Sequence, residues 1–203
     1  MELKLKKNEY AGRLIVFEGT DGAGKTTMLD MAANYLRARF GGERVLVEKQ
    51  PTDLSRKTRL FQKMMFSGSH EDIDYRAVQL LTLSDRVQHN HEVILPALRE
   101  GKVVICDRYL YTSVANMRAR GYRRERWFFA AARSIRKPDL TFLAYVPPAC
   151  AIARIRSRPE ECSRHLNEAL LSAAAGEFLK LKKSEGFTLI DTETDAERAF
   201  ASV

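Results

Sequence analysis

Cysteine and histidine are scarce in this sequence, and none of them has the spacing of a metal site. The three cysteines lie at Cys106, Cys150 and Cys162, and the four histidines lie at His70, His89, His91 and His165. An odd number of scattered cysteines argues against a disulfide framework and favours a reducing compartment. Since a structural zinc ion needs grouped ligands, the sequence predicts no such site.

Long apolar runs are also missing. No stretch approaches the roughly 20 apolar residues that cross a bilayer, and the basic start "MELKLKKNEYAG" lacks the apolar core of a signal peptide. We therefore expect a cytoplasmic protein that does not bind membranes, with a loose basic tail at residues 1–12. A chain of 203 residues, 45% hydrophobic and 30% charged, is typical of one globular domain over residues 1–203.

Basic residues outnumber acidic ones, 34 to 26, which gives a net charge of +8. Such an excess suits any polyanion, whether nucleic acid or nucleotide phosphates. The stretch 118–137, "RARGYRRERWFFAAARSIRK", interleaves arginines with aromatic residues, as single-strand nucleic-acid platforms do. We prefer a helix that buries Trp127 and Phe128 while its arginines face water, so nucleic acid is not expected as a partner.

Short apolar runs alternate with longer helix-like stretches, which predicts an α/β fold with a parallel sheet. The runs are apolar nearly throughout, as in strands that helices cover on both faces. The predicted strands are 13–18, 44–49, 102–106, 140–146 and 187–190. The predicted helices are 25–39, 54–66, 73–99, 111–118, 123–135, 148–156, 164–184 and 194–202.

The segment "GTDGAGKT" at 19–26, called the phosphate loop below, matches G-x-x-x-x-G-K-[ST] between an apolar strand and a helical sequence. Glycines there let backbone N–H groups face phosphate oxygens, and the following helix adds its positive dipole end. Lys25 would reach the outer phosphates, and the Thr26 hydroxyl would bind Mg²⁺. The alternative is a glycine-rich turn with an incidental lysine. The predicted ATP-binding residues are Gly19, Asp21, Gly22, Ala23, Gly24, Lys25, Thr26 and Thr27.

Asp107 follows the predicted strand "KVVIC". An acid at the carboxyl tip of a parallel strand lies on the ligand edge of the sheet. There it can help Thr26 to hold the Mg²⁺ that accompanies the nucleotide. The alternative is a plain helix N-cap.

Four segments together resemble the thymidylate kinase family of P-loop nucleoside monophosphate kinases. They are "FEGTDGAGKTT" (17–27), "SDRVQH" (84–89), "GKVVICDRYLYTSVA" (101–115) and "KPDLTFL" (137–143). The resemblance implies a P-loop NTPase fold, with a five-stranded parallel sheet between helices and a short mobile lid. It also implies Mg²⁺-dependent transfer of the γ-phosphoryl of ATP to dTMP, giving dTDP, by a homodimer.

The resemblance also implies a role for particular residues. Asp21 matches the acid that holds the sugar 3′-hydroxyl, and Arg86 matches the arginine on the thymine edge. Lys49 stands where the family usually has an arginine that binds the acceptor phosphate. Asp107 and Arg108 match the Asp-Arg pair that serves the metal and the phosphates. The implied acceptor-binding residues are Asp21, Lys49, Thr82, Arg86, Arg108, Thr112 and Ser113.

Positive charge on the transferring phosphoryl group is the main chemical requirement. No catalytic base is needed, because a phosphate monoester with a second pKa near about 6 is already a dianionic nucleophile. The variable positions of the phosphate loop contain no arginine, whereas "ARIRSRPEECSR" supplies several where the family has its lid, about residues 156–165. This resembles the bacterial arrangement; a solvated helix face is the alternative. The predicted catalytic residues are Lys25, Arg108 and one or both of Arg154 and Arg158.

The sequence departs from the family pattern at four places. The predicted phosphate-binding residues are kept overall, whereas the predicted base pocket is altered. Thr82 replaces a phenylalanine that stacks on thymine, Asn116–Met117 replaces a segment with glutamine, Lys49 replaces arginine, and Ser163–Arg164 replaces Asp-Arg in the lid. Phe61 or Phe66 could stack on the base instead. The alternatives are a kinase for another or a modified (deoxy)nucleoside monophosphate, and a non-catalytic P-loop protein that binds nucleotide or nucleic acid. Asp21, Arg108 and the arginine-rich lid argue against the second.

Overall fold

Five parallel strands form one sheet in the order β2-β3-β1-β4-β5 in the computed structural model, which describes residues 3–67, 71–159 and 166–203. In register, Phe17 of β1 and Lys49 of β2 both lie opposite Asp107 of β3. The ends of the three strands therefore meet at one edge, as the sequence predicts. The strands are β1 (Arg13–Glu18), β2 (Val45–Lys49), β3 (Val103–Asp107), β4 (Leu140–Tyr145) and β5 (Thr188–Asp191).

Helices cover both faces of this sheet. Alternate residues of β1 point to opposite faces: Leu14 and Val16 belong to one buried cluster, and Phe17 belongs to another. The Phe17 and Phe142 rings stack with centroids 5.2 Å apart. The helices are α1 (Lys25–Phe40), α2 (Asp53–Arg56), α3 (Arg59–Phe66), α4 (Tyr75–His89), α5 (Leu95–Arg99), α6 (Leu110–Ala119), α7 (Arg126–Ala131), α8 (Pro148–Arg156), α9 (Glu168–Glu185) and α10 (Ala196–Phe200).

Two predicted helices are interrupted. The helix predicted over 54–66 divides into α2 and α3, because the Thr58 hydroxyl accepts from Phe61 N (3.3 Å) and caps a new helix. The helix predicted over 73–99 contains a π-helical turn at Asn90–Ile94. Pro96 follows this turn, and a proline lacks the N–H that regular α-helical bonding requires.

The segment predicted as a loose tail is anchored over residues 3–12. Lys6 N donates to Ile135 O (2.9 Å), and Lys137 N donates to Lys6 O (2.7 Å). Leu3 and Leu5 pack against the larger buried cluster. The sequence prediction is therefore wrong for residues 3–12, since a short backbone bridge and apolar contacts hold them to the sheet layer.

The predicted lid falls mostly outside the described residues. Helix α8 ends at Arg156 as predicted, whereas Arg164 and the rest of 160–165 lie outside the described part. Helix α9 begins at Glu168, where the Asn167 side chain accepts from Leu170 N (3.0 Å). None of the described helices is long and apolar enough to cross a membrane.

Candidate active site

The phosphate loop follows β1 directly and leads into α1. Gly24, the N-cap of α1, has φ +75°. Gly22 has φ +77°, and a Cβ there would lie 2.3 Å from Ala151 O of α8. Only glycine therefore fits where the loop packs against α8, and the first N–H groups of α1 are left to face an anion.

Lys25 is buried at the start of α1, with 7% of its surface exposed. Its Nζ donates to Thr20 O (2.6 Å). Burial, reinforced by the nearby Arg108 charge, lowers the pKa of Lys25 to about 8. A bound polyphosphate would favour the charged form, so the loop is built to receive negative charge.

A cavity of about 450 Å³ lies in front of the phosphate loop. Its volume is in the range of small-molecule sites. Residues of the phosphate loop and residues of α4 both line it. The predicted residues that line it are Asp21, Gly22, Gly24, Lys25, Thr26, Thr27, Lys49, Thr82, Arg86, Asp107, Arg108, Thr112, Ser113 and Arg158.

Arg108 joins the end of β3 to the phosphate loop. Its guanidinium hydrogen-bonds the Asp21 carboxylate, and its Nη1 also donates to Gly19 O (3.0 Å) and Thr112 Oγ1 (3.2 Å). The Arg108 backbone has φ +69°, a left-handed conformation that costs a non-glycine residue energy. These contacts hold the guanidinium in the middle of the cavity.

Glu18 fixes the turn after Arg108, and sequence analysis missed it. The carboxylate is fully buried at the end of β1, and its Oε1 accepts from Tyr109 N (2.9 Å) and Thr112 N (3.1 Å). Burial raises the pKa of Glu18, against the effect of these hydrogen bonds. The signal in the sequence was a charged residue, Glu18, at the end of an otherwise apolar strand.

Thr26 and Asp107 fit the Mg²⁺ that the family implies. Both line the cavity, and the buried Asp107 Oδ1 has no hydrogen-bond partner among the described residues. Lys49 Nζ lies 3.7 Å from the other oxygen, Oδ2. No cluster of three or more His, Cys, Asp or Glu side chains occurs in the described residues.

Helix α4 contributes residues of one face to the lining of the cavity. Tyr75, Gln79, Thr82 and Arg86 follow a helical spacing and all line the cavity. Arg86 is 1% exposed, and its Nη1 donates to Thr82 O (3.1 Å). Burial lowers the pKa of Arg86 to about 10, so it remains a cation at neutral pH.

A family model described as thymidylate kinase matches residues 17–203. The chain belongs to the thymidylate kinase family. It is 41% identical over 150 residues to a probable thymidylate kinase of Pyrococcus abyssi, covering 72% of this chain and 71% of that one. It is 34% identical over 188 residues to the thymidylate kinase of Xanthomonas campestris pv. campestris strain B100, covering 92% and 78%.

The fold agrees with this membership of the nucleoside monophosphate kinases. The crystal structure of thymidylate kinase from Ehrlichia chaffeensis superposes with a TM-score of 0.68 at 22% identity. The match covers 94% of this chain and 95% of that one. The predicted five-stranded P-loop architecture is therefore confirmed.

The sequence predicts that Arg154 and Arg158 both belong to the lid. In the structure, the two side chains have different surroundings. Arg158 lines the cavity. Arg154 lies behind the phosphate loop, where its guanidinium donates to Thr192 O (2.8 Å) and Gly22 O (3.5 Å). Arg156 is exposed and pairs with Glu168.

Arg56 is a cavity residue that sequence analysis missed. It lines the cavity from α2, and its Nε donates to Pro51 O (2.6 Å). Burial, and next the repulsion from Arg108, lower its pKa. Arg56 and Arg108 both line the cavity, and their positive charges repel each other. A phosphate group of the acceptor would offset this repulsion.

The other candidates for the altered base pocket also reach this cavity. Phe61 and Phe66 both line it, and Phe61 is buried. Ser113 and Asn116 line it from α6. In the stretch 118–137, Phe128 is buried and Trp127 packs partly buried against the same cluster, which supports the structural interpretation of that stretch.

Proposed function

We propose that this protein transfers the γ-phosphoryl group of ATP to dTMP, giving dTDP and ADP. The observation that carries the proposal is one cavity of about 450 Å³ that both the phosphate loop and the buried Arg86 line. Membership of the thymidylate kinase family supports both substrates.

The donor binds at the phosphate loop. The loop N–H groups and Lys25 bind the outer phosphates, with the predicted ATP contacts at residues 19–27. Thr26 and Asp107 would hold Mg²⁺, which would neutralise phosphate charge when bound with ATP. Asp21 has two roles. It orients Arg108 through a hydrogen bond, and by the resemblance it binds the sugar of the acceptor.

The acceptor phosphate lies between Lys49, Arg56 and Arg108. One of its oxygens attacks the γ-phosphorus, and the bond from that phosphorus to the β–γ bridging oxygen breaks. The phosphate oxygen carries no proton at neutral pH, so these residues position charge and remove no proton. Arg158, which also lines the cavity, stabilises the charge on the transferring group.

A kinase for a different nucleoside monophosphate is the second candidate. Thr82 favours it, since threonine is buried at the base end and offers no aromatic plane. A non-catalytic binder has little use for Arg108 held in a strained backbone beside Asp21. By the resemblance, we further propose a cytoplasmic homodimer, for which light scattering after gel filtration is the test of assembly.

ADP release with ATP and Mg²⁺ across dTMP, dUMP, UMP, CMP, dCMP, dGMP and AMP tests the proposal. We expect the highest kcat/KM for dTMP. A higher kcat/KM for another monophosphate would replace dTMP as the acceptor. Turnover with none of them, while ATP still binds, would contradict the kinase activity itself.

A further inference from the structure

Two buried polar atoms without partners belong to residues that line the cavity. Gln79 is 4% exposed and Arg86 is 1% exposed, and both line the cavity. Neither Gln79 Oε1 nor Arg86 Nε has a hydrogen-bond partner among the described residues. Leaving a buried polar group unpaired is unfavourable, so a ligand that supplies both partners is favoured.

The two unpartnered atoms differ in hydrogen-bonding character. Gln79 Oε1 is an amide oxygen and can only accept a hydrogen bond. Arg86 Nε can only donate.

Thr82 leaves space between these two groups. Gln79 and Arg86 are two turns apart on α4, about 10.5 Å along the axis at the usual helical rise. Thr82 lies between them, and its hydroxyl donates back to Gln79 O (3.4 Å). The helix thus presents an acceptor and a donor on either side of a short side chain, where the edge of a flat ring can enter.

We propose that Gln79 Oε1 accepts the N3–H of a pyrimidine base while Arg86 donates to the adjacent O4, which makes Gln79 a specificity-determining residue. The inference rests on the proposed function, because it concerns the acceptor in the same cavity. Thymine and uracil present this N–H and C=O pair. Cytosine presents an acceptor at N3 and a donor at C4, and so mismatches both groups.

The test compares the equilibrium binding of dTMP, N3-methyl-dTMP and dCMP by calorimetry without ATP. For the wild-type protein we expect N3-methyl-dTMP and dCMP to bind about 10- to 100-fold more weakly than dTMP, from the loss of one or two buried hydrogen bonds. Gln79→Met removes the acceptor at similar length. It should weaken dTMP about 10-fold and bring the ratio of dTMP to N3-methyl-dTMP close to one.

Gln88→Met is the matched control, because Gln88 lies exposed on the same helix and outside the cavity. It should leave all three affinities unchanged. Equal wild-type affinities for dTMP and N3-methyl-dTMP would overturn the inference without any variant, even if Gln79→Met did not fold. An unchanged ratio in folded Gln79→Met would also overturn it.

The two proposals fail separately. Phosphorylation of dTMP together with equal binding of the methylated analogue would contradict the role of Gln79 alone. The expected binding ratios without phosphoryl transfer to any monophosphate would contradict the kinase activity and keep the role of Gln79.

Discussion

The Asp85 carboxylate holds Thr52 by both of its oxygens. Oδ2 accepts from Thr52 N (2.7 Å), and Oδ1 accepts from Thr52 Oγ1 (2.9 Å). Asp85 is 1% exposed, and Oδ2 also accepts from Ser55 N (3.3 Å) at the start of α2. The next residue on α4 is Arg86, so adjacent residues organise the two subsites. Asp85 positions the segment that carries Arg56, and Arg86 lines the cavity at the proposed base subsite.

Asp85→Asn should destabilise the protein and loosen the acceptor phosphate subsite. The asparagine amide is neutral and has one acceptor oxygen, so it cannot replace the three hydrogen bonds that the Asp85 carboxylate accepts. We therefore expect a loss of about 1–3 kcal/mol in the free energy of unfolding. Because Arg56 depends on this segment, the KM for dTMP should rise more than the KM for ATP. Urea denaturation and steady-state kinetics measure the two effects. Asp53→Asn is the control, since Asp53 is exposed and forms an ion pair with the exposed Lys57. A lower stability with an unchanged ratio of the two KM values would show that Asp85 is only structural.

Arg56→Ala should weaken the binding of dTMP and leave thymidine unaffected. The loss of a charge-assisted contact to phosphate is worth about 1.5–3 kcal/mol, or roughly 10- to 100-fold in affinity. Thymidine lacks the phosphate and isolates the effect. Arg59→Ala, at an exposed position outside the cavity, is the control. Equal weakening of both ligands would place the action of Arg56 elsewhere.

Arg158→Ala should lower kcat about 100-fold or more while the KM for each substrate changes little, since a group that stabilises transferring charge acts mainly in the transition state. Arg156→Ala should be nearly neutral, because Arg156 is exposed and pairs with Glu168. Rapid-quench measurement of the chemical step checks both variants. A normal rate in Arg158→Ala would exclude this arginine.

ATP binding should take up a proton near pH 8. In the free protein, burial and next the Arg108 charge hold the pKa of Lys25 at about 8, and bound phosphates should raise it. Below the free pKa, Lys25 is already charged and takes up no proton. Above it, binding must charge the lysine, so ATP affinity should fall as pH rises from about 8 towards the bound pKa.

Calorimetry of ATP binding at about pH 8.5, in buffers of different ionisation enthalpy, measures this proton directly. Lys25→Arg is the comparison, because arginine stays protonated at such pH values and should bind without proton uptake. No proton uptake by the wild-type protein at that pH would contradict the assigned pKa.

The strands and the phosphate loop could be predicted because their signals are local. An apolar run followed by "GTDGAGKT" determines strand, loop and helix within a few residues, and Gly22 at its close approach to Ala151 is part of that pattern. The position of Arg56 could not be predicted. It depends on the break between α2 and α3 and on Asp85, which lies 30 residues from Ser55 in the chain.

The positions of the two arginines predicted for the lid, Arg154 and Arg158, could not be predicted from the sequence either. Arg154 and Arg158 have the spacing of one helix face, yet α8 ends at Arg156. Arg158 therefore leaves the helical direction and reaches the cavity, while Arg154 bonds the backbone at Thr192 and Gly22. Likewise, Lys6 gave no sign in sequence that it would bridge to residues 135–137.

The most direct test of the central claim is the fate of label from [γ-³²P]ATP incubated with the protein, Mg²⁺ and dTMP. The account predicts label in the β-phosphate of dTDP, formed together with one equivalent of ADP. Label recovered only as inorganic phosphate, or retained in ATP while dTMP is bound, would show that the cavity does not carry out phosphoryl transfer to this nucleotide.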